Sequence, residues 1–104
     1  MAGMGKFLKQ AQEMQKKLGS VQEKLGRMEV EGTAGGGMVK AVVNGKKDLI
    51  SVAINPEVVD PAEVEMLQDL ITAAVRQACE NAEKLAQEEM SALTGGIDLP
   101  GLGL

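Results

Sequence analysis

Residues 28–56 read MEVEGTAGGGMVKAVVNGKKDLISVAINP. In this run, strand signals and chain breakers alternate. Met28-Glu29-Val30-Glu31 alternates apolar and acidic side chains, the period of a strand with one buried face. Gly32-Thr33-Ala34-Gly35-Gly36-Gly37 is too glycine-rich for a helix. Met38 to Val43 is rich in β-branched residues, and Asn44-Gly45 is the strongest short hairpin signal in the chain. Leu49 to Ile54 returns, with Ile50, Val52 and Ile54 on one face and Leu49, Ser51 and Ala53 on the other. Asn55-Pro56 stops it. The run therefore predicts a small three-stranded antiparallel sheet.

A long helix is expected on each side of that sheet. Met4, Phe7, Ala11, Met14, Leu18, Val21, Leu25 and Met28 alternate steps of three and four without a slip, the spacing of a heptad seam. The seam predicts a helix over 4–27, in which Gly19 and Gly26 each cost about 1 kcal/mol relative to alanine. Downstream, Asp60 suits the cap position, Pro61 the first helical position and Glu63 the third, a capping-box arrangement. Val64, Leu67, Ile71, Ala74, Ala78, Ala82 and Leu85 then continue an apolar stripe, widened by Leu70, Val75 and Met90, and Leu93-Thr94-Gly95-Gly96 closes it. The chain thus divides into one α+β domain over 1–94 and a Gly/Pro/Leu tail over 95–104, expected to be mobile, with an apolar hook for a neighbour as the other possibility. A helix of about 30 residues spans roughly 45 Å, far more than three strands at about 4.8 Å spacing. The helices must project, and a homodimer is the economical way to cover their seams.

Charge is distributed unevenly over the 104 residues. Lys6, Lys9, Lys16, Lys17, Lys24 and Arg27 face only Glu13 and Glu23 in the first 28, a local net of +4; residues 29–55 balance, and 56–104 carry −8, for a total of −4. An acidic total argues against sequence-blind attraction of the whole surface to polyanions. A local basic patch still acts, because charges beyond about 8 Å are largely screened at physiological salt.

Several function classes are disfavoured by composition. His is absent, which removes the usual metal ligand and the commonest general base. Phe7 is the lone aromatic residue, so stacking of unpaired bases has nothing to use. The lone Cys79 excludes an intrachain disulfide and suits an intracellular compartment, and it is read as a small buried or interfacial filler without a partner base. No cleavable signal and no apolar run long enough to span a bilayer are found, which makes a soluble cytoplasmic chain the expectation. The glycine run lacks the Lys-Ser/Thr pair and following helix of a nucleotide-binding loop; close backbone approach or a wide bend, at a subunit boundary for instance, explains it better.

The stretch from Met28 to Lys40, with its Glu31-Gly32-Thr33-Ala34-Gly35-Gly36-Gly37 centre, resembles the signature of the YbaB/EbfC family of bacterial nucleoid-associated proteins. Met66-Leu67-Gln68-Asp69-Leu70-Ile71-Thr72-Ala73-Ala74 is similar to that family's second motif, and the element order and the tail also fit. The resemblance covers essentially the whole chain. It implies a homodimer with a shared β core and projecting, tweezer-like helices that binds double-stranded DNA in the nucleoid. Two departures stand out: Gly19 and Gly26 interrupt a helix that is usually glycine-poor, and Asn55 stands where aspartate is common before the proline.

In the heptad frame the six cations fall at c, f and g, off the seam. Base rates make such a stripe a solvated helix face; the resemblance favours phosphate contact by Lys6, Lys9, Lys16, Lys17, Lys24 and Arg27. Lysine is a point charge rather than a bidentate reader of guanine, so backbone contact and broad specificity are expected. The glutamines of this helix are assigned to its surface. Arg76 and Lys84 are set aside because their neighbours are acidic. Neither catalysis, nor a cofactor or metal, nor a small-molecule substrate, nor a membrane partner is expected. The alternative is a coiled-coil-like dimeric adaptor or chaperone-type module that grips another protein without binding DNA.

Overall fold

The computed structural model describes residues 2–93, so the expected tail at 95–104 lies outside the described residues. Helix α1 spans Ala2–Arg27, strands β1, β2 and β3 span Glu29–Ala34, Val39–Asn44 and Leu49–Ile54, and helix α2 spans Val64–Leu93. The sheet is antiparallel in the order β1-β2-β3. This is the helix, three-stranded sheet and long helix expected of the chain.

Gly19 and Gly26 leave α1 unbroken. Asn55 and Asp60 cap two short 3-10 turns, Pro56–Val58 and Pro61–Glu63, by accepting from the backbone N–H of Glu57 at 2.9 Å and of Ala62 at 3.0 Å. The second turn leads directly into α2, so the capping signal at Asp60 starts a 3-10 turn and the α-helix begins three residues later, at Val64.

The glycine run divides between two roles. β1 continues through Gly32 to Ala34, and only Gly35-Gly36-Gly37 make the turn, all three at positive φ. Gly32 is buried under α2. A β-carbon there would collide with Ala78 N and Ala74 O and would sit 2.8 Å from Ala78 Cα. The close approach expected of this run is therefore helix on sheet within one chain. Ala74, Ala78 and Ala82 are fully buried against Val39, Ala41 and Val43 of β2. Four small residues let the two layers touch backbone to backbone.

A second joint holds α1. The backbone N–H of Gly45 donates to the carbonyl of Leu25 at 2.7 Å, and a β-carbon on Gly45 would lie 2.6 Å from that oxygen and 2.9 Å from Leu25 Cα. The β2–β3 connection is thus four residues long, and its left-handed residue is Lys47, at φ 72°. Gly45 serves the contact with α1. Asn44 braces the loop, its side-chain oxygen accepting from Lys46 N and Asp48 N at 2.9 and 3.0 Å.

β3 departs from its expected burial. A bulge at Val42/Val43 pairs Leu49 with Val43, which moves Leu49 to the face of Val52 and Ile54 and away from Ser51 and Ala53. Yet α2 lies over β1 and β2, and Leu49 and Ile50 remain 55% and 50% exposed. Val64, at the start of the α2 stripe, is also exposed. The radius of gyration is 19.5 Å, against about 13 Å for a compact chain of this length. Projecting helices account for the difference.

The glycines separate cleanly by substitution. Gly32→Ala is expected to destabilise by about 3 kcal/mol, because α2 must lift off the sheet. Gly19→Ala meets nothing within 4 Å and is expected to stabilise by about 1 kcal/mol. Urea midpoints at constant m-value check both signs.

Candidate nucleic-acid interface

α1 carries its apolar and cationic residues on opposite sides. At 100° per residue, Lys6, Lys9, Lys16, Lys17, Lys24 and Arg27 fall within an arc of roughly 100° that faces away from the seam. All six residues are exposed. The row runs about 32 Å along the helix axis from Lys6 to Arg27, close to the ~34 Å of one duplex turn. Glu13 stands inside the arc.

One of the six differs from the others. Lys24 Nζ lies 3.0 Å from Glu89 Oε2 of α2, with side chains 57% and 20% exposed. Its charge is partly spent on holding the two helices together. Lys6, Lys9, Lys16, Lys17 and Arg27 have no ion pair with the described residues. The glutamines of α1 are exposed as well.

Folding adds two cations that the linear charge count balanced away. Lys46 and Lys47 sit in the loop docked on Leu25, and Lys46 Cε lies 3.8 Å from where a β-carbon on Gly26 would be. Both are exposed, and Lys46 lies beside the end of α1 at Gly26. The Asn44-Gly45 signal located the hairpin; its docking on α1 is a tertiary event. Asp48 in the same loop is held by Asn44 Nδ2 at 3.0 Å.

α2 presents the opposite sign. Glu65, Asp69, Glu80 and Glu83 are exposed and lie across the helix from the Ala74–Ala78–Ala82 stripe. Arg76 sits within this acidic arc. A polyanion is favoured at the back of α1 and repelled from the back of α2.

The described residues form no cavity and no group of three or more Cys, Asp or Glu placed to hold a metal ion. Cys79 is half-buried and packs against the core. No helix of the described residues is long and apolar enough to cross a membrane.

The chain is similar to known proteins in fold and in sequence. A solved structure of an uncharacterized Helicobacter pylori protein superposes with a TM-score of 0.73 at 21% identity, covering 91% of this chain and 97% of the other. That likeness shows the fold. A nucleoid-associated protein of Caldanaerobacter subterraneus subsp. tengcongensis is 56% identical over 96 residues, 92% of this chain and 86% of the relative. One from Pelotomaculum thermopropionicum is 50% identical over 99 residues, 95% and 94% of the two chains. The profile of the YbaB/EbfC DNA-binding family matches residues 1–97. With a family match over nearly its whole length, the chain belongs to the YbaB/EbfC DNA-binding family.

Proposed function

We propose that this protein is a nucleoid-associated protein of the cytoplasm that binds double-stranded DNA as a homodimer and helps organise the nucleoid or regulate its genes. The observation that carries this is the exposed cationic arc of α1, segregated from the acidic back of α2. Lys6, Lys9, Lys16, Lys17 and Arg27 are the principal contacts, and Lys24 contributes less because Glu89 competes for it. Each contact neutralises a phosphate and releases counterions, so affinity falls steeply with salt. The protein acts by binding rather than by catalysis, without a cofactor or a small-molecule substrate.

The two edges of the sheet support the homodimer. β1's outer edge is occupied by its own chain: Thr33 N donates to Gln77 Oε1 at 2.6 Å, and Asn81 Nδ2 donates to the Glu31 carbonyl at 2.9 Å. β3's outer edge has no such cover among the described residues, and Leu49, Ile50 and Ile54 are exposed beside it. A bare strand edge flanked by apolar side chains is a pairing site. Pairing with a second copy there gives the shared β core and places two cationic helices on one assembly.

Titration of a duplex by fluorescence anisotropy across a salt series tests DNA binding. Replacing Lys9, Lys16 and Lys17 by Gln is expected to lower the salt slope by roughly 0.9 for each phosphate left unneutralised, while Lys24→Gln changes it less. Absence of duplex binding by the parent at low salt would instead support the protein-gripping adaptor. For the dimer, Ile50→Lys together with Leu49→Lys is expected to shift the sedimenting mass from two chains to one. A parent protein that sediments as one chain would refute the shared β core.

A further inference from the structure

Asn44-Gly45 is the place in this chain where a side-chain amide is most open to attack by the backbone. Glycine brings no β-carbon to hinder its own amide nitrogen. In deamidation the Gly45 nitrogen gives up its proton and bonds to Asn44 Cγ, and the Cγ–Nδ2 bond breaks to release ammonia. Water then opens the five-membered imide and leaves aspartate or isoaspartate at position 44. The other asparagines are poorer candidates. Asn55 precedes Pro56, whose nitrogen has no proton to give up, and Asn81 lies inside α2.

In the folded protein the reacting atoms are held apart. Gly45 is buried, and its N–H donates to the Leu25 carbonyl at 2.7 Å. That bond favours the protonated amide, since loss of the proton would set an anion against a carbonyl oxygen. The Asn44 side chain is engaged at both ends. Its Oδ1 accepts from Lys46 N and Asp48 N, and its Nδ2 donates to Asp48 Oδ2 at 3.0 Å and to the Gly26 carbonyl at 3.5 Å. The main chain is fixed as well: Asn44 N donates to the Asp48 carbonyl at 2.9 Å, and the Asn44 carbonyl accepts from Lys47 N at 3.0 Å. Closing the imide ring requires rotation of the Asn44 side chain and of its Cα–C bond, which breaks these contacts. Two of the partners, Leu25 and Gly26, belong to α1.

We propose that the docking of α1 on the β2–β3 loop keeps Asn44 chemically intact, and that undocking exposes it to a one-way modification. Neither product rebuilds the joint. In aspartate a second carboxylate oxygen replaces Nδ2 and faces Asp48 Oδ2 and the Gly26 carbonyl, acceptors against acceptors with no proton between them. Isoaspartate lengthens the main chain by one carbon beside Gly45, where the contact with Leu25 leaves no room even for a β-carbon. Once modified, the loop no longer mounts α1. The inference stands apart from whatever the cationic face of α1 binds.

Peptide mass spectrometry that separates asparagine, aspartate and isoaspartate at position 44 reads the reaction in the intact protein. At neutral pH the parent is expected to deamidate more than about tenfold slower than the same chain unfolded in urea. Leu25 lies outside the apolar cluster that joins α2 to the sheet, so Leu25→Ala loosens α1 and is expected to raise the native rate about tenfold. In the parent, urea below the unfolding midpoint should raise deamidation and hydrogen exchange of the Gly45 amide together, a measurement that needs no variant. Asn44→Asp is expected to speed exchange of that amide about tenfold. Equal rates in the folded and unfolded parent, a folded Leu25→Ala that deamidates like the parent, deamidation that stays constant while Gly45 exchange rises, or Gly45 exchange unmoved by Asn44→Asp would each overturn it.

Discussion

The contact of Gly32 with Ala74 and Ala78 sets where α2 lies, and much of the molecule follows from that position. No side chain separates the strand from the helix at this point. Because α2 presses onto β1 and β2, Gln77 and Asn81 reach the outer edge of β1 and satisfy its backbone groups. For the same reason α2 leaves much of β3 uncovered, and its Leu49, Ile50 and Ile54 stay exposed. Among the described residues, one edge of the sheet is closed and the other left open by a single packing choice. Alanine is the residue that permits it, being small and the best helix former.

The second joint, between Gly45 and Leu25, converts this sheet into a mount for a long lever. α1 is anchored over its last few residues by a backbone hydrogen bond, the buried Leu25 and the Lys24–Glu89 pair. The remainder projects. Cations on the back of α1 and carboxylates on the back of α2 then lie on different surfaces, which a chain of net −4 needs if it is to meet a polyanion. The exposed ion pair adds little stability; it marks where Lys24 of α1 and Glu89 of α2 come level.

Much of this was legible before folding. Hydrophobic period located both helices and all three strands, since burial on one face forces a repeat of 3.6 or 2 on the sequence. The cationic stripe was equally plain, because residues at c, f and g of one helix share a side whatever that helix packs against. The glycine run was harder. Composition excluded a helix there, but not the difference between Gly32, which continues a strand, and Gly35 to Gly37, which turn it. Gly45 is similar: Asn44-Gly45 located the hairpin, but not that its glycine is needed for contact with Leu25.

By itself the sequence determined the order and type of the elements, the apolar seam and the segregation of positive charge to the first helix, all properties of residues close together in the chain. Tertiary structure alone decided that Lys24 is paired and that Lys46 stands beside Gly26 at the end of α1. It also decided that, among the described residues, β3 keeps an open edge and the N-terminal part of the α1 seam stays exposed. Each of these depends on how far one element extends over another. That overlap is set by backbone contact distances between residues tens of positions apart, and periodicity carries no information about it.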